Sequence, residues 1–233
     1  MMMLLNRMLK GAAYAEKPKV TVVYNDVATV NANTWTLTSK NFGPLAQGQT
    51  TRHLIAAVTC YSQSADTTSS DDGSFSMGVS IGGSTATIYN SLCTATNDAY
   101  NSVSTGSCFA ILENNSSTSG NIVVTLSGYS DTMQYYGVTL FRVVGLASAA
   151  PITQPTTGTL VVPIIQNGFG ILAATNLTYG ATCAAFTGTG AITTYYGTYG
   201  AVMYRTTADS VTHASSGANY YRGTTWEFVD ARV

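Results

Sequence analysis

Two histidines, His53 and His213, are the whole imidazole supply of this 233-residue chain, so general acid–base chemistry at neutral pH would have to begin from them. His53 adjoins an apolar run and His213 sits in a Ser/Thr stretch; neither has a carboxylate next to it in sequence. Hydroxyls are abundant enough for a Ser-His-Asp set, yet no GxSxG elbow presents a nucleophile. A zinc-type centre would need both histidines from distant segments, and the four cysteines, at 60, 93, 108 and 183, form no CxxC pair. No metal ligand set is expected.

The carboxylates offer no better start. Glu113 precedes a polar loop and Glu227 lies in the last apolar segment, with nothing apolar and aromatic bracketing an acid pair so as to split two pKa values. Asp66, Asp71 and Asp72 fall in SQSADTTSSDDG, where hard oxygen ligands could gather round calcium, but their spacing is not that of an EF-hand and a solvated turn is expected. A phosphate cradle of the GxxxxGK[ST] kind is missing, and all four lysines (10, 17, 19 and 40) lie at or before residue 40, so the rest of the chain has none to offer. The expectation is a protein that is not an enzyme and takes no cofactor. Its work must then be binding.

The most conspicuous binding candidate is TTYYGTYGAVMY, Thr193 to Tyr204, with Tyr195, Tyr196, Tyr199 and Tyr204. Tyrosine gives large contact area at modest entropic cost and keeps a hydroxyl, which suits a protein interface or stacking on a sugar. Tyrosines alternating on half-buried strands would look the same.

The elements that must carry these residues are strands. Arg52 to Tyr61, RHLIAAVTCY, has five successive apolar side chains from Leu54 to Val58 and reads as a central strand buried on both faces. TWTLT, Thr34 to Thr38, alternates Trp35 and Leu37 with threonines in the period of a half-buried strand. SFSMGVSI points Phe75, Met77, Val79 and Ile81 inward, and Gly82-Gly83 turns it into Ala86 to Tyr89 as a hairpin. Val20 to Tyr24 and Val27 to Val30 read as two early strands, Cys108 to Leu112 and Asn121 to Leu126 as a second hairpin, and Tyr135 to Val143 as a closing strand. Composition agrees: charged residues make up 9% of the chain, against about 25% in ordinary globular proteins. Thr- and Tyr-rich chains with so little Glu, Lys and Arg favour sheet.

The pattern restarts after the Pro-interrupted linker SAAPITQPTTG. Leu160 to Ile165 takes the position of TWTLT, Gly170 to Thr175 that of Leu54 to Thr59, and Tyr220 to Val229 that of Tyr135 to Val143. The expected fold is an all-β antiparallel sandwich of jelly-roll or Ig-like type with a faint internal duplication. Its expected parts are an arm over residues 1–19, a sandwich or half-sandwich over 20–150, a linker over 151–158 and a second half or small β-domain over 159–233. Either division leaves enough chain for a core.

A formal charge of −1 gives weak self-repulsion and no polybasic footprint, so direct nucleic-acid binding is not expected; the surface reads equally as one covered by partners or as the Ser/Thr-coated exterior of a secreted protein. The opening MMMLLNRMLKGAAYAEK lacks a basic leader ahead of an apolar segment of roughly 7 to 15 residues, so it does not read as a signal peptide. It reads as a short apolar arm, with Met1, Leu4, Leu5 and Met8 as anchoring residues; no stretch is long enough to span a membrane. Cys60 and Cys183 are expected as core thiols, whereas Cys93 and Cys108 are close enough in sequence to bridge a loop.

The succession TWTLTSKNF, RHLIAAVTCY, SMGVSIGG, ATIYN, IVVTLSG and YYGVTLFRVVGL resembles β-sandwich structural proteins of tailed bacteriophages and gene transfer particles: decoration, fibre or tail-associated proteins. Val79 to Gly83 and Val124 to Gly128 are the segments that carry it, within residues 30 to 150 and more weakly 158 to 229. The resemblance implies a virion component assembled in the host cytoplasm, whose partners are other capsid or tail proteins and copies of itself. It brings no catalytic or cofactor residues. An adhesive module that binds a host glycan is the alternative.

Overall fold

The computed structural model describes residues 19–45, 52–64, 74–97, 102–151, 161–164, 168–175, 193–196, 200–205, 209–212 and 220–227, and of 161–164 and 193–227 the backbone only. The fold is all-β, with every strand pairing antiparallel. In chain order the first half holds β1 (Lys19–Thr29), β2 (Thr34–Asn41), β3 (Arg52–Ser64), β4 (Ser76–Ile81), β5 (Ser84–Thr85), β6 (Thr87–Asn97), β7 (Ser102–Asn115), β8 (Ser119–Ser127) and β9 (Tyr135–Val144). The second half holds β10 (Val161–Ile164), β11 (Gly168–Thr175), β12 (Thr193–Tyr196), β13 (Gly200–Arg205), β14 (Asp209–Thr212) and β15 (Tyr220–Glu227).

A five-stranded sheet, β1-β9-β3-β7-β6, faces a four-stranded one, β2-β8-β4-β5. Between them lies a core of Trp35, Leu37, Phe42, Leu54, Ala56, Val58, Met77, Ile81, Ile122, Val124 and Leu140, with the Trp35 and Tyr136 rings 5.7 Å apart. The reverse side of the five-stranded sheet is covered in turn. Ile55, Ala57, Phe109, Ile111, Phe141 and Val143 pack there with Phe169, Ile171 and Ala173 of β11, which belongs to a third sheet, β12-β13-β11-β15. A short pair, β10-β14, completes the second half.

This layering explains the sequence pattern. The inner strands of the middle sheet are wetted on neither face, so β3 is buried without interruption from Leu54 to Ser62 and β9 from Tyr136 to Val144, whereas the edge strand β1 keeps exposed positions. Strands of the outer sheet are wetted on one, so β2 and β4 alternate, hiding Trp35, Leu37, Met77, Val79 and Ile81. Gly82 and Gly83, at φ 62° and 84°, form the two-residue turn from β4 into β5, the left-handed conformation that hairpin turns of this length require.

Three details differ from the sequence reading. Val20 to Tyr24 and Val27 to Thr29 are parts of a single strand, β1, which absorbs a register shift between Val22 and Tyr24 and stays on β9 beyond it, with Val30 just past its end. The hairpin after Gly83 is short: Ser84 and Thr85 pair with β4, the Ala86 N–H donates once more to the Val79 carbonyl at 2.9 Å, and β6 then crosses to pair with β7. The strands at Cys108 and Asn121 are not a hairpin either, because β7 joins the middle sheet and β8 the outer one. The continuous apolar run of β7 suits a strand covered on both sides, and the alternation of β8 suits one covered on a single side.

Candidate assembly surface and buried polar clusters

His53 lies at the start of β3 opposite Val143, half-buried. Burial holds its pKa below the ordinary value, and the field of Glu113 opposes that shift in part. Glu113 is exposed. His213, Cys183, Asp66, Asp71, Asp72, Tyr199, Met1, Leu4, Leu5 and Met8 lie outside the described residues. The other three tyrosines fall on neighbouring strands, with Tyr195 opposite Val202, Tyr196 opposite Ala201 and Thr193 opposite Tyr204.

Cys60, Cys93 and Cys108 are buried thiols, not half-cystines, so the possible Cys93–Cys108 bridge is not made. Register explains why. Cys93 is opposite Gly106, two positions from Cys108, and side chains on such a diagonal have Cα atoms roughly 7–8 Å apart, beyond disulfide reach. Cys60 is opposite Gly106 from the other side, and Cys108 donates to the Met77 sulfur at 3.2 Å. Burial pushes the Cys60 and Cys108 thiols up, so they are uncharged and behave as core residues. No cluster of three or more His, Cys, Asp or Glu is arranged to hold a metal among the described residues.

Arg52, the first residue of the central strand, is 2% exposed and closes one end of the core. Its guanidinium donates to the Gly43 carbonyl at 2.7 Å and to that of Ser117, while Arg142 donates to Pro44 at 2.6 Å. The two arginines thereby pin the segment after β2 to the end of the sandwich. Burial first, and the charge of Arg142 second, hold the Arg52 pKa below its usual range.

The outward side of the sheet β2-β8-β4-β5 is the surface these elements build. Where register is continuous it reads in rows: Thr34, Thr125 and Gly78; then Thr36, Val123, Ser80 and Thr85; then Ser127 beside Ser76. Thr38 and Asn121 extend it past a bulge in β2, where Asn121 accepts the Ser39 N–H at 2.9 Å. These side chains are exposed or, for Val123 and Ser80, half-buried, and not one is ionisable. Each hydroxyl both donates and accepts. Sequence reasoning found the alternation that produces the threonines, but not that four strands align them into one uncharged face.

The edge of the neighbouring sheet is less available. On β1 the Val27 N–H is taken by the Asp26 carboxylate at 2.9 Å, which Tyr24 also engages at 2.6 Å, so this edge does not offer that group to another strand. The face is the better candidate.

These features define a class: an antiparallel β-sandwich with an uncharged, hydroxyl-bearing sheet face and no assembled catalytic or metal constellation among the described residues. No family model, curated protein or solved structure matches the chain. No helix among the described residues is long and apolar enough to cross a membrane, which leaves membrane-spanning strands aside.

Proposed function

We propose that the chain is a non-enzymatic structural protein of a bacteriophage virion, a capsid decoration, head-fibre or tail-associated component that works by protein–protein assembly. The observation that carries this is the uncharged Thr/Ser face of β2-β8-β4-β5. A surface without ionisable groups neither steers nor repels a partner by charge, and its hydroxyls can pair with the backbone and side chains of a neighbouring protein. Contacts of this kind are weak one at a time, and the symmetry of a particle multiplies them. The apolar arm of Met1, Leu4, Leu5 and Met8 is the second anchoring element in this reading.

The sandwich is read as jelly-roll in type. Strand order supports it: β1-β9-β3-β7 against β2-β8-β4-β5 is the order of two interleaved Greek keys, with β6 added at the edge. Jelly rolls serve in viral capsids and also in lectins, so the fold supports the virion reading by analogy alone. For the glycan alternative the same hydroxyls count, but the rows of this face include no aromatic ring on which a sugar could stack.

The test is biochemical. Virions from the encoding phage are banded on a density gradient, and the chain is quantified across the fractions by mass spectrometry. The reading expects it to track the particle peak at a fixed ratio to the major capsid protein. A chain found only in the soluble fraction overturns it, and capture of the soluble protein on a glycan array would favour the alternative.

A further inference from the structure

The second half repeats the pairing pattern of the first. Matching β10 to β2, β11 to β3, β12 to β6, β13 to β7, β14 to β8 and β15 to β9 preserves chain order. Under that match four antiparallel pairings coincide: β2 with β8 and β10 with β14, β3 with β7 and β11 with β13, β3 with β9 and β11 with β15, β6 with β7 and β12 with β13. Thus β9-β3-β7-β6 becomes β15-β11-β13-β12, and counterparts of β1, β4 and β5 are the strands not found among the described residues.

Side chains add an independent observation. Aligning Leu54–Thr59 with Gly170–Thr175 gives identity at Ile55 and Ile171, Ala57 and Ala173, Thr59 and Thr175. These are alternate positions, hence one face of each strand. All six are buried, and the isoleucines and alanines share the cluster between the halves. The positions in between, Leu54, Ala56 and Val58 against Gly170, Leu172 and Ala174, differ throughout. Identity is confined to the face on which the halves meet.

Most contacts across that face are reciprocal: β3 meets β11, its own counterpart; β3 meets β13 while β7 meets β11; β9 meets β13 while β7 meets β15. The exception is at the edge, where β6 meets β15 without an equivalent close approach of β12 to β9. Reciprocity of this kind marks an isologous interface, in which the same patch serves both partners of a two-fold pair.

We infer that residues 161–227 are a reduced second copy of residues 34–144, seated where a second molecule of the first half would dock, so the face of Ile55, Ala57 and Thr59 is a self-complementary docking surface whose fitting partner is another copy of itself. The virion reading is not needed for this. One consequence is that the outer sheets, β2-β8-β4-β5 and β10-β14, are the counterparts left for outside contacts. Copy-to-copy contacts in an assembly then use surfaces other than the one already occupied within the chain.

The first half can be tested alone, because among the described residues every side chain of its two-sheet core falls between Val23 and Leu140. A fragment of residues 1–151 should sediment at twice its monomer mass, and Ile55→Asp should return it to monomer with unchanged strand content by circular dichroism. A folded fragment that stays monomeric, or a dimer indifferent to Ile55→Asp, overturns the inference. Should the fragment be insoluble, the full chain decides. Ile55→Cys combined with Ile171→Asp, which unseats β11, should then cross-link between molecules under mild oxidation, whereas Ile55→Cys alone should not. Equal cross-linking in the two chains, or none in either, overturns it.

Discussion

Cys60 and Cys93 stand opposite the same residue, Gly106, from the strands on either side of β7, and both thiols lean over it. A Cβ at Gly106 would come within 2.9 Å of the Cys60 sulfur, 3.0 Å of the Cys93 sulfur and 3.2 Å of the Met77 methyl. The missing side chain is therefore what lets two sulfurs occupy one row of a three-stranded stretch. Gly106→Ala overpacks this row and should cost about 1–3 kcal/mol, read as a lower denaturant midpoint at unchanged m-value. Cys60→Ala in the same chain should return part of that loss, because neighbours in contact do not add. A Gly106→Ala chain as stable as the parent would mean that the thiols have room to move aside.

The outer face makes the opposite prediction. Thr36→Lys and Thr125→Lys add charge at exposed positions without touching the core, so stability should change by no more than about 0.5 kcal/mol. On the proposed virion reading, incorporation into particles should nevertheless fall steeply, since each copy would present like charge to its neighbours or bury an ammonium without a partner. Thr36→Ser keeps the hydroxyl and should incorporate normally. Melting temperature and copy number per virion separate the two effects.

How far the sequence could be read follows from this layering. The unbroken run Leu54 to Val58 was legible as a strand covered on both sides, and Trp35, Leu37, Met77 and Val79 as one side of half-covered strands. Periodicity reports how many faces of a strand are wet; it does not report which strand lies alongside. Hence β7 and β8, adjacent in sequence and both apolar, read as a hairpin although they belong to different sheets. The same limit hid the candidate face, because Thr34, Thr125 and Gly78 are far apart in the chain and meet only through register. Arg52 was hidden for another reason: no local pattern reveals that a guanidinium will find the carbonyls of Gly43 and Ser117 at the end of a core.

That arginine can be probed directly. Arg52→Ala leaves two carbonyls without their donor and a space at the end of the sandwich, and should destabilise the fold by about 2–4 kcal/mol. Arg52→Lys should recover little, because one ammonium on a flexible stem does not reproduce a planar fork that spans two acceptors. Added salt should leave the difference unchanged, since the bonds run to neutral carbonyls in a buried site. Urea titrations at low and high ionic strength measure all three expectations.

His53 sets an acid limit on stability. Burial depresses its folded pKa below the ordinary value of 6.5, and the exposed Glu113 offsets this only in part. The unfolded chain therefore binds the proton more readily than the folded one. By linkage, the stability associated with a neutral His53 is fully present above about pH 6.5 and declines as pH falls from there towards the folded pKa. Below the folded pKa no further loss comes from this residue. His53→Gln, which keeps a polar side chain of similar reach, should flatten the slope of unfolding free energy just below about pH 6.5 without changing it at pH 8. Parallel slopes for the two proteins across that window would show that the depressed pKa does not govern acid sensitivity.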